Sequence, residues 1–344
     1  MATFHGRARF VGQRSIEVGD DVLDATHLVV AAGAWPVRLG VPGEAYLTRS
    51  DQFLDLPQLP ERIVFVGGGY IAFEFGHVAA RAGAAVTILH QGARPLERFD
   101  QDLVAKLVER TRDAGIEVRT GTKVVGIEGA PGAFTVAATR GTESELVEAD
   151  MVVHAAGRAP EIGDLDLPAA GVQFDRRGIT VNGHLQSVSN PAVYAAGDAA
   201  NSGGLPETPF AQYEGGLVAR NILGGNKLTA DYLGSGSVVY SIPALGAVGM
   251  TEQEAHAKGL DFTVNQADTS GWYSARRVAE PASMYKVLVE KDSRRVLGAH
   301  VLGPDADEFV NVFALAIRAG IRADMLKETL FAYPTQASNM AWML

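Results

Sequence analysis

The sequence predicts an α/β protein: two domains built on strand–helix–strand units, the first incomplete, followed by an α+β C-terminal domain. Three observations predict it. Within residues 62–89 an apolar strand runs into a glycine-rich turn, then a helix, then a second strand. A strand-and-turn element at 25–36 recurs at 149–160. Beyond residue 238, stretches that alternate in strand fashion precede a helix with one apolar face. A chain of 344 residues accommodates two or three domains at ~150 residues each. With 47% hydrophobic residues it buries a sizeable core and is not disordered. The net charge of −10 argues against a nucleic-acid partner, because no basic stripe is present to meet phosphates. No apolar run reaches the ~18 residues of a membrane span. The opening MATFHGRARF is too polar for a signal peptide, so the expectation is a cytoplasmic protein. The chain has no cysteine, which removes disulfides, thiolate nucleophiles and Cys-based metal sites from it.

The repeat organises the chain. ATHLVVAAGAWP (25–36) and ADMVVHAAGRAP (149–160) are identical at Ala25/Ala149, Val29/Val153, Ala31/Ala155, Ala32/Ala156, Gly33/Gly157 and Pro36/Pro160. Each reads as a buried strand, a tight Ala-Ala-Gly turn and a proline that stops the strand. Each follows a hairpin-like stretch. Only the second copy is preceded by a complete strand–glycine loop–helix–strand unit. A duplicated domain would therefore lack its opening unit in the first copy, and the expectation is a fragment or a truncated gene.

Residues 62–76 read RIVFVGGGYIAFEFG. Ile63–Val66 is the strand, and Gly67, Gly69 and Ala72 satisfy G-x-G-x-x-A. Gly67 permits the tight turn. Gly69 lets backbone approach a pyrophosphate, and Ala72 permits close helix–strand packing. Tyr70, Ile71 and Ala72 begin the helix, whose free N–H groups and dipole attract phosphate. The helix spans 70–82, with Ile71, Phe75, Val78 and Ala79 at helical spacing, and the second strand is 85–89. This is a Rossmann-like dinucleotide site. An NAD site commonly carries an acid at the end of the second strand. Here that region holds His90, Arg94 and Arg98, which suits the 2′-phosphate of NADP better than the bare ribose of NAD.

GGGYIAFE, the two AAG turns and NPAVYAAGDAA (190–200) together resemble the pyridine nucleotide–disulfide oxidoreductases, the group of glutathione reductase, dihydrolipoamide dehydrogenase and mercuric reductase. The resemblance covers essentially the whole chain. It implies an FAD domain at 1–57 and 158–232, an NAD(P)H domain at 58–157 and a dimerisation domain at 233–344. It implies that Asp198, ending the strand VYAAGD, holds the flavin's ribityl or pyrophosphate portion. The helix opened by Thr208-Pro209 would face the flavin ring with its N-terminus. Tyr70 matches the gate over the flavin, and Glu74 an acid near it. Arg158 matches a basic residue beside the flavin. Gly33 of the first turn falls on the flavin side and Gly157 of the second on the NADP side. Phe309, Val312, Phe313, Ala316 and Ile317 form the apolar face of an interface helix. The apolar tail FAYPTQASNMAWML would reach into a partner subunit of a homodimer.

The chain departs from the family pattern. It lacks the FAD glycine fingerprint and the redox cysteine pair. The C-terminal His-Pro-Thr-x-x-Glu signature reads Tyr333-Pro334-Thr335-Gln336-Ala337-Ser338. A tyrosine titrating near ~10 is a poor base at neutral pH. The resemblance thus implies a flavin reductase that passes hydride from NADPH to FAD and on to a small-molecule acceptor, whether quinone, metal or disulfide, with Tyr70, Glu74 and Tyr333 as its catalytic candidates. Two rivals stand beside it: a non-catalytic nucleotide-binding dimer scaffold, and a thiol-disulfide reductase that lost its N-terminus.

Overall fold

The computed structural model describes residues 1–344, which segregate into two compact units: Met1–Val37 with Arg158–Tyr232, and Arg38–Gly157 with Leu233–Leu344.

In the first unit, strands Ala8–Phe10, Ser15–Val18 and Asp21–Asp24 form an antiparallel meander. Strand Leu28–Val30 pairs in parallel with Val193–Ala195, Val29 opposite Tyr194. Phe10, Leu28, Val30, Leu167, Ile179 and Val193 are buried together as the core of this unit. The AAG turn follows, with Gly33 at φ 72°, a conformation glycine adopts without a Cβ penalty. The proline after each turn does not stop the chain's strand character at once. Pro36 and Pro160 end the short strands Ala34–Pro36 and Arg158–Pro160, which pair antiparallel with each other. Proline is tolerated there because these are two-stranded edges.

The second unit holds a four-stranded parallel sheet in the order Met151–His154, Arg62–Val66, Ala85–His90, Glu117–Thr120. Such sheets are covered on both faces, and Ile63, Val64, Phe65 and Ile88 are all buried. Helix Tyr70–Arg81 covers one face, but it is rotated from the sequence expectation. Ala72, Phe73, Gly76, His77 and Ala79 are buried; Ile71 and Phe75 are half-buried and Val78 is exposed. The reason is twofold. Gly76 brings the helix onto Val86 and Ile88, and His77 can enter because its ring is satisfied. Its Nε2 donates to Thr111 Oγ1 at 3.0 Å and its Nδ1 accepts from the Ile242 amide at 3.3 Å. Segment 38–57, expected with the first domain, packs in this second unit: Phe53 stacks on Phe75 at 4.9 Å, and Thr48 bridges Val153.

The second copy of the repeat matches the first in form. Strands Thr122–Ala130, Ala133–Arg140 and Glu143–Ala149 make a meander that leads into Met151–His154. The C-terminal region is α+β, as expected. Its antiparallel sheet runs Gly236–Val239, Ala244–Gly249, Val296–Gly303, Met284–Glu290, Phe262–Asp268. Helix Ala306–Ala319 lies on it through Phe309, Val310, Phe313 and Ala316, with Val312 and Ile317 half-buried at the margin. The tail corrects a sequence expectation. Met340 and Met343 are buried in their own chain's core beside Tyr285 and Val287, and the Tyr285 hydroxyl donates to the Trp342 carbonyl at 3.0 Å. Of the large apolar and aromatic side chains, Tyr333 and Trp342, 79% and 76% exposed, face outward, as does Leu330 just before the tail.

Candidate functional site

The glycine loop joins strand Arg62–Val66 to helix Tyr70–Arg81, and each glycine has a separate reason. Gly67 has φ 126°, and a Cβ there would fall inside the Ala155 carbonyl of the second AAG turn. A Cβ at Gly68 would stand 2.6 Å from Cγ of His90. Gly69, the residue before the helix, meets nothing within 4 Å. That open face beside unpaired helix N–H groups fits a pyrophosphate. Ala72 is fully buried, as close helix–strand packing requires. Gly157, with φ 105°, ends the turn that supports the loop.

The segment after strand Ala85–His90 folds back onto this loop. The Leu96 amide donates to the Gly68 carbonyl at 2.9 Å. His90 does not project toward a ligand: its Nε2 donates to the Arg94 carbonyl at 2.9 Å, while its ring fills the space left by Gly68 and Gly92. His90 therefore shapes the segment. Arg94 and Arg98 are exposed, and their guanidinium groups have no partner within the chain. They are the free cations of the site, and with Gly69 they fit a phosphorylated dinucleotide. Tyr70 is half-buried, its ring edge-on to Phe99 with centroids 5.6 Å apart. Glu74, one turn on, accepts the Tyr240 amide at 2.9 Å.

The first unit holds the flavin-side candidates. Asp198 lies not at a strand end but in the 3-10 turn Gly197–Ala199, after strand Val193–Ala195. Its carboxylate is half-buried and has no partner in the chain, as an acceptor for ligand hydroxyls would be. Arg158 is exposed and bonds the Ala34 carbonyl across the short ladder. Helix Thr208–Gly224 begins where the sequence places it, with exposed Thr208 and no side-chain cap on its first amides. The Asp198 carboxylate and the uncapped amides of this helix fit part of a flavin nucleotide. Sequence reasoning missed Glu214. It is buried, accepts the Gly197 amide at 2.7 Å, the Ser202 hydroxyl at 2.5 Å and the Tyr232 hydroxyl at 2.6 Å, and so sets the loop that carries Asp198. Burial and this hydrogen bond push the Tyr232 hydroxyl well above its ordinary pKa. A carboxylate within the apolar FAQYEGGL was the signal available.

Tyr333 and Ser338 lie in the C-terminal region. Tyr333 stacks loosely on Tyr273, with centroids 6.4 Å apart. Ser338 exchanges hydrogen bonds with Thr335 and makes none to Tyr333. The two do not form a relay.

A family model described as pyridine nucleotide-disulphide oxidoreductase matches residues 1–215, and the dimerisation domain of the same family matches 235–344. The chain belongs to this family. Glutathione reductase of Burkholderia cepacia is 33% identical over 336 residues, covering 98% of this chain and 74% of that protein. Mercuric reductase of Staphylococcus aureus is 29% identical, covering 97% of this chain and 61% of its own length. The HOCl-induced flavoprotein disulfide reductase RclA from Escherichia coli, solved as a Cu(II) complex, superposes with a TM-score of 0.87 at 26% identity, covering 98% of this chain and 77% of RclA. The expected class, an NAD(P)H-dependent flavoprotein oxidoreductase of mixed α/β fold with a dimerisation domain, is the one these relatives support, and the scaffold reading is not favoured. The family works with FAD and a pyridine nucleotide. No helix is long and apolar enough to cross a membrane.

Proposed function

We propose that this chain takes part in NADPH-dependent reduction of a small-molecule acceptor through a flavin, as a cytoplasmic homodimer. One observation carries the nucleotide choice: Arg94 and Arg98 stand unpaired on a segment fastened to the glycine loop, with His90 where an NAD site would have an acid. In this reading Gly67 makes the turn, Gly69 lets the pyrophosphate approach the amides of Ile71 and Ala72 in the first helical turn, and the two arginines bind the 2′-phosphate. Gly157 keeps the nucleotide side of the supporting turn open.

On the flavin side, Asp198 accepts hydrogen bonds, Gly33 and Arg158 flank the site, and the helix at Thr208 offers amides and a positive dipole end. When bound, the cofactors supply hydride transfer between nicotinamide and flavin. Tyr70, at the start of its helix and against Phe99, would lie where nicotinamide approaches a flavin. Glu74, held by the Tyr240 amide, keeps that helix end in place. Tyr333 in place of a histidine supports an acceptor that needs no thiol protonation, a quinone or a metal ion rather than a disulfide. The outward Leu330, Tyr333 and Trp342 support association through 235–344.

Calorimetric titration with NADPH and NADH tests the central claim. NADPH binds more tightly, and Arg94→Ala weakens it by about 1–3 kcal/mol while sparing NADH. Equal affinities refute the reading. Sedimentation at micromolar concentration gives a dimer; a monomer refutes that part.

A further inference from the structure

Lys286 lies in strand Met284–Glu290 of the C-terminal sheet, with only 3% of its side chain exposed. Its Nζ stands 2.9 Å from Asp100, 2.6 Å from Asp102 and 3.0 Å from Glu252. A buried ammonium is tolerated only with such partners. Burial works against its charge, and the carboxylates overcome that, holding its pKa above the ordinary lysine value. The mechanism described above does not use it.

Its partners explain its position. Asp100 caps helix Gln101–Asp113, accepting the Asp102 amide at 3.1 Å, and presents its other oxygen to Lys286. Asp100 is two residues beyond Arg98. The segment from 91 to 99 is thus held at both ends. His90 and the Gly68 carbonyl hold its entry. At its exit Phe99 is buried against Tyr70, and the Gln101 side chain donates to the Leu96 and Phe99 carbonyls at 3.3 and 3.0 Å. The anchor of that exit is Lys286.

We infer that Lys286, through Asp100, is a positioning residue for phosphate recognition: it fixes the segment that presents Arg94 and Arg98. This rests on the NADPH reading above. A segment left loose must be ordered when the nucleotide binds, and that cost falls on contacts to the 2′-phosphate, which NADH lacks. Lys286 also offsets three carboxylates that would otherwise oppose an anion at the segment's exit.

The test compares wild type, Asp100→Asn, Glu252→Gln and Lys286→Met in the full 344-residue chain. Asn caps helices as well as Asp, so Asp100→Asn removes the ion pair and keeps the cap; it decides the matter should Lys286→Met fail to fold. Affinities for NADPH and NADH are measured by calorimetry, and amide hydrogen exchange is followed at 93–99 and 67–69. Asp100→Asn lowers the NADPH-to-NADH preference roughly tenfold, leaves NADH binding unchanged and speeds exchange at 93–99 alone. Glu252→Gln, which keeps the Lys286–Asp100 pair, leaves the preference intact. An unchanged ratio with unchanged exchange in Asp100→Asn overturns the inference and leaves the arginine reading standing. Equal loss of both nucleotides, or an equal effect of Glu252→Gln, overturns it as well. A wild type that binds both nucleotides alike removes the arginine reading, and this inference with it.

Discussion

The two copies of the repeat share a meander, a strand and an AAG turn, yet they stand in different surroundings. In the second, strand Met151–His154 is part of a four-stranded parallel sheet, and the Ala155 carbonyl occupies the space where Gly67 would carry a side chain. In the first, strand Leu28–Val30 has a single partner; Gly33, like its counterpart Gly157, has nothing within 4 Å of where a Cβ would stand, so the turns themselves are alike and their surroundings differ. A turn of this sequence is thus a support, not a binding site in itself. It becomes part of a nucleotide site where a glycine loop rests on it.

The largest expected contrast is in cofactor affinity. The chain carries one glycine fingerprint, and it lies in the second unit. This 344-residue chain therefore binds NADPH more tightly than FAD, because the helix N-terminus beside Gly69 meets the pyrophosphate directly. Titration of the purified chain with each nucleotide reads this directly, and FAD binding as tight as NADPH breaks the comparison. Next come the glycine that rests on the second turn and the glycine within the first. Gly67→Ala forces a side chain into the Ala155 carbonyl at a φ that suits glycine, costs more than about 3 kcal/mol in denaturant unfolding and abolishes nucleotide binding. Gly33→Ala costs only about 1 kcal/mol, since only the left-handed backbone opposes it. Loss of similar stability in both variants would erase the difference.

A smaller, pH-dependent effect belongs to the second unit. Burial, helped by the charges of Arg81 and Arg110, lowers the His77 pKa to about 4. The unfolded chain takes up that proton first as pH falls from its ordinary value near 6.5, so stability present at pH 7 is lost progressively down to about 4. His77→Gln removes this term. The stability gap between wild type and variant narrows by about 2 kcal/mol from pH 7 to 4.5. A constant gap shows that His77 is not buried neutral.

What the sequence disclosed depended on how local the cause was. The strand, glycine turn and helix at 62–90 were legible because their signal lies within consecutive residues. The repeat was legible because it compares the chain with itself. The rotation of helix Tyr70–Arg81 was not, because it depends on Thr111 and Ile242 accepting a buried imidazole. Glu214 and Lys286 were hidden for the same reason: a buried charge is recognised by its partners, and Asp100 lies 186 positions from Lys286. In the tail, Met340 and Met343 face the chain's own core while Trp342 faces out, a division that composition does not express.

The short ladder between Ala34–Pro36 and Arg158–Pro160 has one more property. Under the repeat, Ala34 corresponds to Arg158, Trp35 to Ala159 and Pro36 to Pro160. The register pairs Ala34 with Pro160, Pro36 with Arg158, and Trp35 with Ala159. Each end residue meets the counterpart of the opposite end, and the middle residue meets its own counterpart. That is the rule of an isologous contact about a twofold axis, the pattern by which two identical chains associate. Here it joins two stretches of one chain, with its dyad passing between Trp35 and Ala159. The ladder is what a symmetric dimer contact becomes once both halves are written into a single polypeptide, after which the two sides are free to diverge, as Trp35 and Ala159 have.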